Sequence, residues 1–327
     1  MAKADPAAGG LEPADAFNAE ALMKRLEWTV LRRLDGLLQG NYRTLMRGAG
    51  LDLADLREYQ HHDDVRHIDW NVTARLQQPY VRQFTEDREL SAWFLVDLSA
   101  SVDFGSNRFT KRRIAREFVA VLARLLTRHG NRVGALLYGT EVDTVLPARG
   151  GRPHVLELVH RMAARPAEAA AGATDLGKLL AAAQRHIRRR STLFVVSDFI
   201  SAPGWERALG QLSLRHEVTA VRLFDALEMD LPDIGLITMR DAETGEQLLV
   251  DTHNAGFRKR FKAAAERREV ELRESLARAG VDTLELATDD DMVDSILRFV
   301  DLKKQRSRLA NWNGPRSGAP SHLRPAA

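Results

Sequence analysis

Residues 91–101 read Ser-Ala-Trp-Phe-Leu-Val-Asp-Leu-Ser-Ala-Ser, and this stretch limits what the chain can fold into more than any other. Its apolar half is rich in strand formers and short enough for a parallel strand covered on both faces. Strands of that kind belong to open α/β sheets, whose ligands bind at the carboxyl ends of the strands. Here the strand ends on Asp97, with hydroxyls at alternate positions after it, Ser99 and Ser101. A carboxylate and two hydroxyls facing one point suit a hard divalent cation such as Mg²⁺, which takes oxygen ligands at about 2.0–2.1 Å and keeps several waters.

The pattern returns downstream. Thr192-Leu-Phe-Val-Val-Ser-Asp198 is a second apolar run that stops on an acid. A single Asp after a strand is ordinarily a turn or cap residue, but two of them beside Ser, Ser and Thr174 point to a shared site. Thr174 stands where a helix over 176–187 begins, so an N-cap role competes with ligation for it. Between the two runs, Phe109–Arg128 has helical spacing with a stop at Gly130, and Val133–Tyr138 is an apolar strand with a short partner at 141–146. Strand, helix, strand is the crossover unit of a parallel sheet. The alternation continues with a helix at 205–214 and strands at 217–223 and 281–286. The expected architecture is α/β, a doubly wound, mostly parallel sheet flanked by helices.

Flanking this core, residues 1–16 are Ala, Gly and Pro with little to bury and are expected to be disordered. Residues 17–38 form an amphipathic helix on Leu22, Leu26, Val30, Leu34 and Leu37, which packs on the main domain or docks a partner. Residues 48–90 are an extension dense in Asp63, Asp64, Arg66, Asp69, Trp70 and Arg75. His61, His62 and His67 lack any fixed metal-ligand spacing, so a loop braced by Arg–carboxylate pairs and anchored by Trp70 is the preferred reading. Residues 224–280 read as an insertion with two short strands and a charged helix. A last helix spans 290–302, and 305–327 is a flexible tail.

Composition removes several function classes. With no cysteine there are no disulfides, thiolate metal sites or cysteine nucleophiles. Charged residues interrupt every apolar stretch before the ~18 residues that a membrane span needs, and residues 1–13 lack the apolar segment of a signal peptide, so a cytoplasmic protein is expected. The 48 basic and 45 acidic residues leave a net charge of +3. The basic residues are dispersed among acids, unlike a nucleic-acid footprint. Arg188–Arg190 and Lys303–Arg306 are read as cations at helix ends.

Asp97-Leu-Ser99-Ala-Ser101, Thr174 and Asp198 together resemble the metal-ion-dependent adhesion site of a von Willebrand factor A domain. Leu56–Tyr59, Asp63–Trp70 and Thr73–Arg75 are similar to a narrower family, the bacterial domain of unknown function fifty-eight, with His61-His62 where that family usually has Pro-Gly. The resemblance runs from the first helix to the last. It implies that Asp97, Ser99 and Ser101 hold Mg²⁺ (or Mn²⁺ or Ca²⁺), with Thr174 and Asp198 in the first or second shell, and that a partner's carboxylate fills the open position. It also implies a MoxR-type AAA+ ATPase as partner, the chain acting as an adaptor or chaperone-like factor rather than an enzyme. The chain has no phosphate-binding Gly-x-x-x-x-Gly-Lys-Ser/Thr loop of its own. The catalytic alternative is a Mg²⁺-dependent phosphatase with Asp97 as nucleophile, but such enzymes need a second Asp where Ser99 stands. A metal that merely stabilises the sheet is the other alternative.

Overall fold

The computed structural model describes residues 18–37, 55–60, 65, 68–83, 91–106, 109–165, 174–240 and 245–311. The expectations for residues 1–16, the tail beyond 311, and His61, His62, Asp63, Asp64, Arg66 and His67 lie outside them. The described residues fall into two compact units, one within 1–40 and 86–297 and the other within 41–85 and 298–327.

Six strands form the main sheet of the first unit: β1 Ser91–Asp97, β2 Arg132–Tyr138, β3 Val142–Arg149, β4 Thr192–Ser197, β5 Glu217–Phe224 and β6 Asp282–Ala287. They lie in the order 3-2-1-4-5-6. All neighbours are parallel except β2 and β3, so β3 is an antiparallel edge. This is the doubly wound α/β architecture expected from the sequence. Its strand order reverses between β1 and β4, and in open sheets of this kind ligands bind outside the carboxyl ends of the strands at that point.

Residues on each central strand alternate between two buried layers. On one face Phe94 of β1 stacks on Phe194 of β4 at 5.3 Å, and Phe118 of the helix Lys111–Arg128 meets Phe194 edge-on at 6.5 Å. On the other, Leu95, Leu136 and Val195 pack with Leu179 and Leu180 of the helix Leu176–His186 and with Leu209 of the helix Trp205–Ser213. Each large apolar side chain buried this way contributes roughly 1.5–3 kcal/mol.

The N-terminal helix packs on this unit, one of the two roles its periodicity left open. It runs through Ala19–Leu26, a π-helical turn Glu27–Leu31, and Arg32–Leu37. The π turn inserts one extra residue into the repeat. Across it the buried series steps from Leu26 to Leu31 and Leu34, passing over the expected Val30; before it Met23 is buried in place of Leu22, and the expected Leu37 side chain lies outside the described residues. Arg25 pairs with Glu117, Arg124 with Glu27 at 2.9 Å, and Arg33 with Asp291 and Asp294 at 2.9 and 2.7 Å.

The 224–280 segment resolves into two parts. Leu236–Arg240 and Gln247–Asp251 form an antiparallel hairpin. The helix Ala255–Arg278 is the crossover joining β5 to parallel β6 and packs beside the helix Trp205–Ser213. The final helix, Met292–Asn311, runs well past the expected end at 302. Lys303–Arg306 therefore lies inside a helix and does not cap one; the Lys303 ammonium sits 5.9 Å over the Phe299 ring.

In the second unit Asp55–Glu58 pairs antiparallel with Tyr80–Gln83. Asp69 is buried and its carboxylate accepts the Val72 N–H at 3.2 Å, at the start of the helix Trp70–Leu76. Trp70 is 70% exposed and does not anchor the segment. Asp69 takes that part, because its side chain turns back onto the helix while the next residue points away.

Gly134 of β2 lies opposite Trp93 of β1, and a Cβ there would come within 2.7 Å of the indole ring. Gly134→Ala is expected to destabilise by about 1–3 kcal/mol through overpacking, read as a lower urea midpoint, with Trp93→Leu restoring part of the loss in the double variant.

Candidate functional site

Asp97 closes β1 with its side chain fully buried. The next residue still pairs with β2 through Leu98 N–H to Tyr138 O at 2.7 Å. The chain then turns back on the carboxylate, with Ser99 N–H donating to Asp97 Oδ1 at 3.0 Å, and enters the 3₁₀ turn Ala100–Asp103. That turn brings the Ser99 and Ser101 hydroxyls to 3.2 Å from each other, both buried. From neighbouring β4, Ser197 Oγ donates to Asp97 Oδ2 at 2.7 Å.

Asp198 follows at the end of β4. Phe199 holds a left-handed backbone, φ 60°, a strained state for a bulky side chain. This bend returns two amides to the strand end: Phe199 N–H donates to Ser197 Oγ at 2.9 Å and Ile200 N–H to Asp198 Oδ1 at 3.0 Å. Asp198 Oδ2 accepts the Lys111 ammonium at 2.7 Å.

Thr174 is buried but does not cap the helix after it. Asp175 does, accepting Gly177 N–H at 2.9 Å, while its own N–H donates to the Tyr138 hydroxyl at 3.0 Å. The Thr174 carbonyl accepts Ala202 N–H at 2.8 Å and the Ser201 hydroxyl at 3.1 Å, which ties it to the loop after β4. Of the five residues expected from the sequence, Asp97, Ser99 and Ser101 are thus joined by direct hydrogen bonds, Asp198 acts on Asp97 through its charge, and Thr174 connects through the main chain.

The two acids differ electrostatically. Burial pushes the Asp97 carboxyl up to about 6, helped by the negative charge of Asp198 and only partly opposed by the Ser197 and Ser99 hydrogen bonds. Burial also disfavours the charge on Lys111, but the Asp198 and Glu228 carboxylates outweigh it and hold that ammonium above its ordinary range.

These residues fit a small hard cation. Adjacent corners of an octahedron with metal–oxygen distances near 2.1 Å lie about 3 Å apart, close to the 3.2 Å between the two serine hydroxyls. The carboxylate beside them takes its hydrogen bonds from neutral donors. Among the described residues no group of three or more His, Cys, Asp or Glu is placed to hold a metal; the oxygens gathered here are the Asp97 carboxylate and the Ser99 and Ser101 hydroxyls.

Sequence reasoning missed Lys111, Ser197, Tyr138 and Glu228. One signal was present for Lys111: the helix it opens has Lys111, Arg112 and Arg113 in its first turn and no acid there, against the helix dipole. Each base answers a carboxylate outside that turn. Lys111 reaches Asp198 and Glu228, Arg112 reaches Asp103 and the Leu98 carbonyl, and Arg113 reaches Glu117.

Comparison with known proteins gives a family match described as Protein of unknown function DUF58 over residues 55–271. An uncharacterized protein of Mycobacterium tuberculosis is 37% identical over 292 residues, covering 89% of this chain and 91% of its own. An uncharacterized protein of Mycobacterium avium is 34% identical over 169 residues, covering 51% and 98%. Among solved structures, BatB from Bacteroides thetaiotaomicron has 13% identity and a TM-score of 0.42 over 66% of this chain and 99% of that one. The SpRpn10 VWA domain has 13% identity and a TM-score of 0.36 over 64% and 95%.

The raised Asp97 pKa has a definite sign in stability. Below pH 3.8 the carboxyl is protonated folded and unfolded alike; between 3.8 and about 6 the unfolded chain releases its proton first, so stability falls as pH rises. In chelator-containing buffer, Asp97→Asn should therefore gain on wild type by on the order of 3 kcal/mol between pH 4 and 7. Urea midpoints across that range check it, and a pH-independent difference would contradict it.

Proposed function

The chain belongs to the DUF58 family, and on that premise we propose a non-catalytic, divalent-metal-dependent protein-interaction role, as adaptor or chaperone-like partner of a MoxR-type AAA+ ATPase. The observation that carries this reading is the buried Asp97 carboxylate with the Ser99 and Ser101 hydroxyls at adjacent-ligand spacing, at the point where the strand order reverses.

Asp97, Ser99 and Ser101 would hold Mg²⁺ (or Mn²⁺ or Ca²⁺), flanked by Thr174 and Asp198, and the bound ion would supply an electrophilic docking point for a partner's carboxylate. The protein's part is positional. The Asp97 turn and the β4 bend fix the oxygens, and the sheet beneath excludes water from one side. The ATPase assignment follows the family resemblance, together with the absence from the sequence of a phosphate-binding loop.

A role without turnover is supported by Ser99, which occupies the place where a phosphatase of this kind needs its second acid, and by the pairing of Asp198 with Lys111, which engages the other strand-end acid. The cytoplasmic setting is part of the same proposal; among the described residues no helix is long and apolar enough to cross a membrane.

Affinity capture from cell extract with the full chain tests the proposal. Wild type in Mg²⁺ should retain an AAA+ ATPase, and both chelator and Asp97→Ala should lose it. Equal capture in all three conditions would rule out metal-dependent docking. Hydrolysis of a generic phosphate ester that Asp97→Ala abolishes would favour an enzyme.

A further inference from the structure

The candidate metal site contains a cation of its own. Lys111 is 1% exposed, and its ammonium lies 2.7 Å from Asp198 Oδ2 and 2.6 Å from Glu228 Oε1. The second oxygen of Asp198 accepts the Ile200 amide. Asp198 therefore has both oxygens engaged inside the protein and its charge matched by a buried base. Asp97 accepts from neutral donors of Ser99 and Ser197, with no ammonium or guanidinium among them.

Glu228 fixes the ammonium from its other side. It ends the 3₁₀ turn Ala226–Glu228 after β5, and its carboxylate closes a reciprocal cap with Asp225. Asp225 in turn accepts Ser106 N–H at 2.8 Å and the Thr288 hydroxyl at 2.6 Å. Moving Lys111 away from Asp198 would leave a buried carboxylate, Asp198, and a partly buried one, Glu228, unmatched, which is costly for the buried acid.

We propose, resting on the reading of Asp97, Ser99 and Ser101 as the cation-holding residues, that Lys111 is a positioning residue that withholds Asp198 from the cation. The site then presents one anionic ligand to a divalent ion, whose remaining charge is met by an acidic side chain from a partner. Two carboxylates would neutralise the ion and remove its attraction for that outside acid. The fixed ammonium strengthens the preference, since it repels a bare cation and draws an anion.

Titration calorimetry of the full chain with Mg²⁺ alone tests this, because a merely structural lysine would weaken binding when removed. Lys111→Met is expected to tighten Mg²⁺ binding by about tenfold or more, as a nearby positive charge is lost. Asp198→Asn should weaken binding moderately, through the loss of a nearby negative charge and not of a ligand, and should return Lys111→Met to about the wild-type affinity in the double variant, whereas Asp97→Ala should abolish binding in every background. Should Lys111→Met not fold, Asp198→Asn alone decides: a loss as large as that of Asp97→Ala makes Asp198 a direct ligand and overturns the proposal. Asp97-dependent binding that Lys111→Met leaves unchanged or weakens overturns it while sparing the metal reading. No Mg²⁺ binding by wild type or any variant overturns both.

Discussion

A carboxylate cut off from water at the end of the central strand sets the conditions for the rest of this structure. Burying a charge without a matching cation is among the most expensive things a fold can do. At Asp97 two neutral donors soften that expense without removing it, which is why its proton is held to about pH 6. An amide or an apolar residue would serve stability better there. The sheet order supplies the place: β1 and β4 are adjacent, their connections leave in opposite directions, and each ends on an acid. Asp97 and Asp198 are therefore forced near each other, and their mutual repulsion is a product of topology.

A second buried acid shows the opposite outcome by the same physics. Burial disfavours the charge of Asp225 too, but hydrogen bonds from Ser106, Thr288 and Leu227 outweigh it and hold its carboxyl below the usual range. Asp225 stays ionised and serves as a tie between the loops that follow β1, β5 and β6. Asp97 has fewer donors and an acid for a neighbour. One carboxylate closes the rim of the sheet, and the other is left in need of positive charge.

Much of this was legible in the chain itself, because strand-end acids announce themselves locally. The apolar runs before Asp97 and Asp198 fixed the parallel strands, and the hydroxyls at alternate positions gave Ser99 and Ser101. What escaped depends on contacts distant in sequence. Lys111 meets Asp198 across 87 residues and Glu228 across 117, and only its unfavourable place in a helix's first turn hinted at a partner. Glu228 sat in a segment read as an insertion, although the helix Ala255–Arg278 within that segment is the ordinary crossover to β6. The N-terminal helix was found by its period, but its buried face was displaced by a π turn, which apolar spacing alone does not encode. Trp70 was mistaken for an anchor because a large aromatic usually is one; the short side chain of Asp69 does the fastening.

On the proposed reading of the site, charge arithmetic favours docking over stapling. A metal whose only task is to brace the sheet gains most when the protein's own carboxylates neutralise it, since each unmatched charge is an electrostatic liability in a buried site. Asp97 and Asp198 would suffice for Mg²⁺. The fold instead places a lysine on one of them, anchored from behind by Glu228 and buried as deeply as any core residue. That choice forgoes internal neutralisation, and it is intelligible if the missing negative charge is to arrive on another molecule.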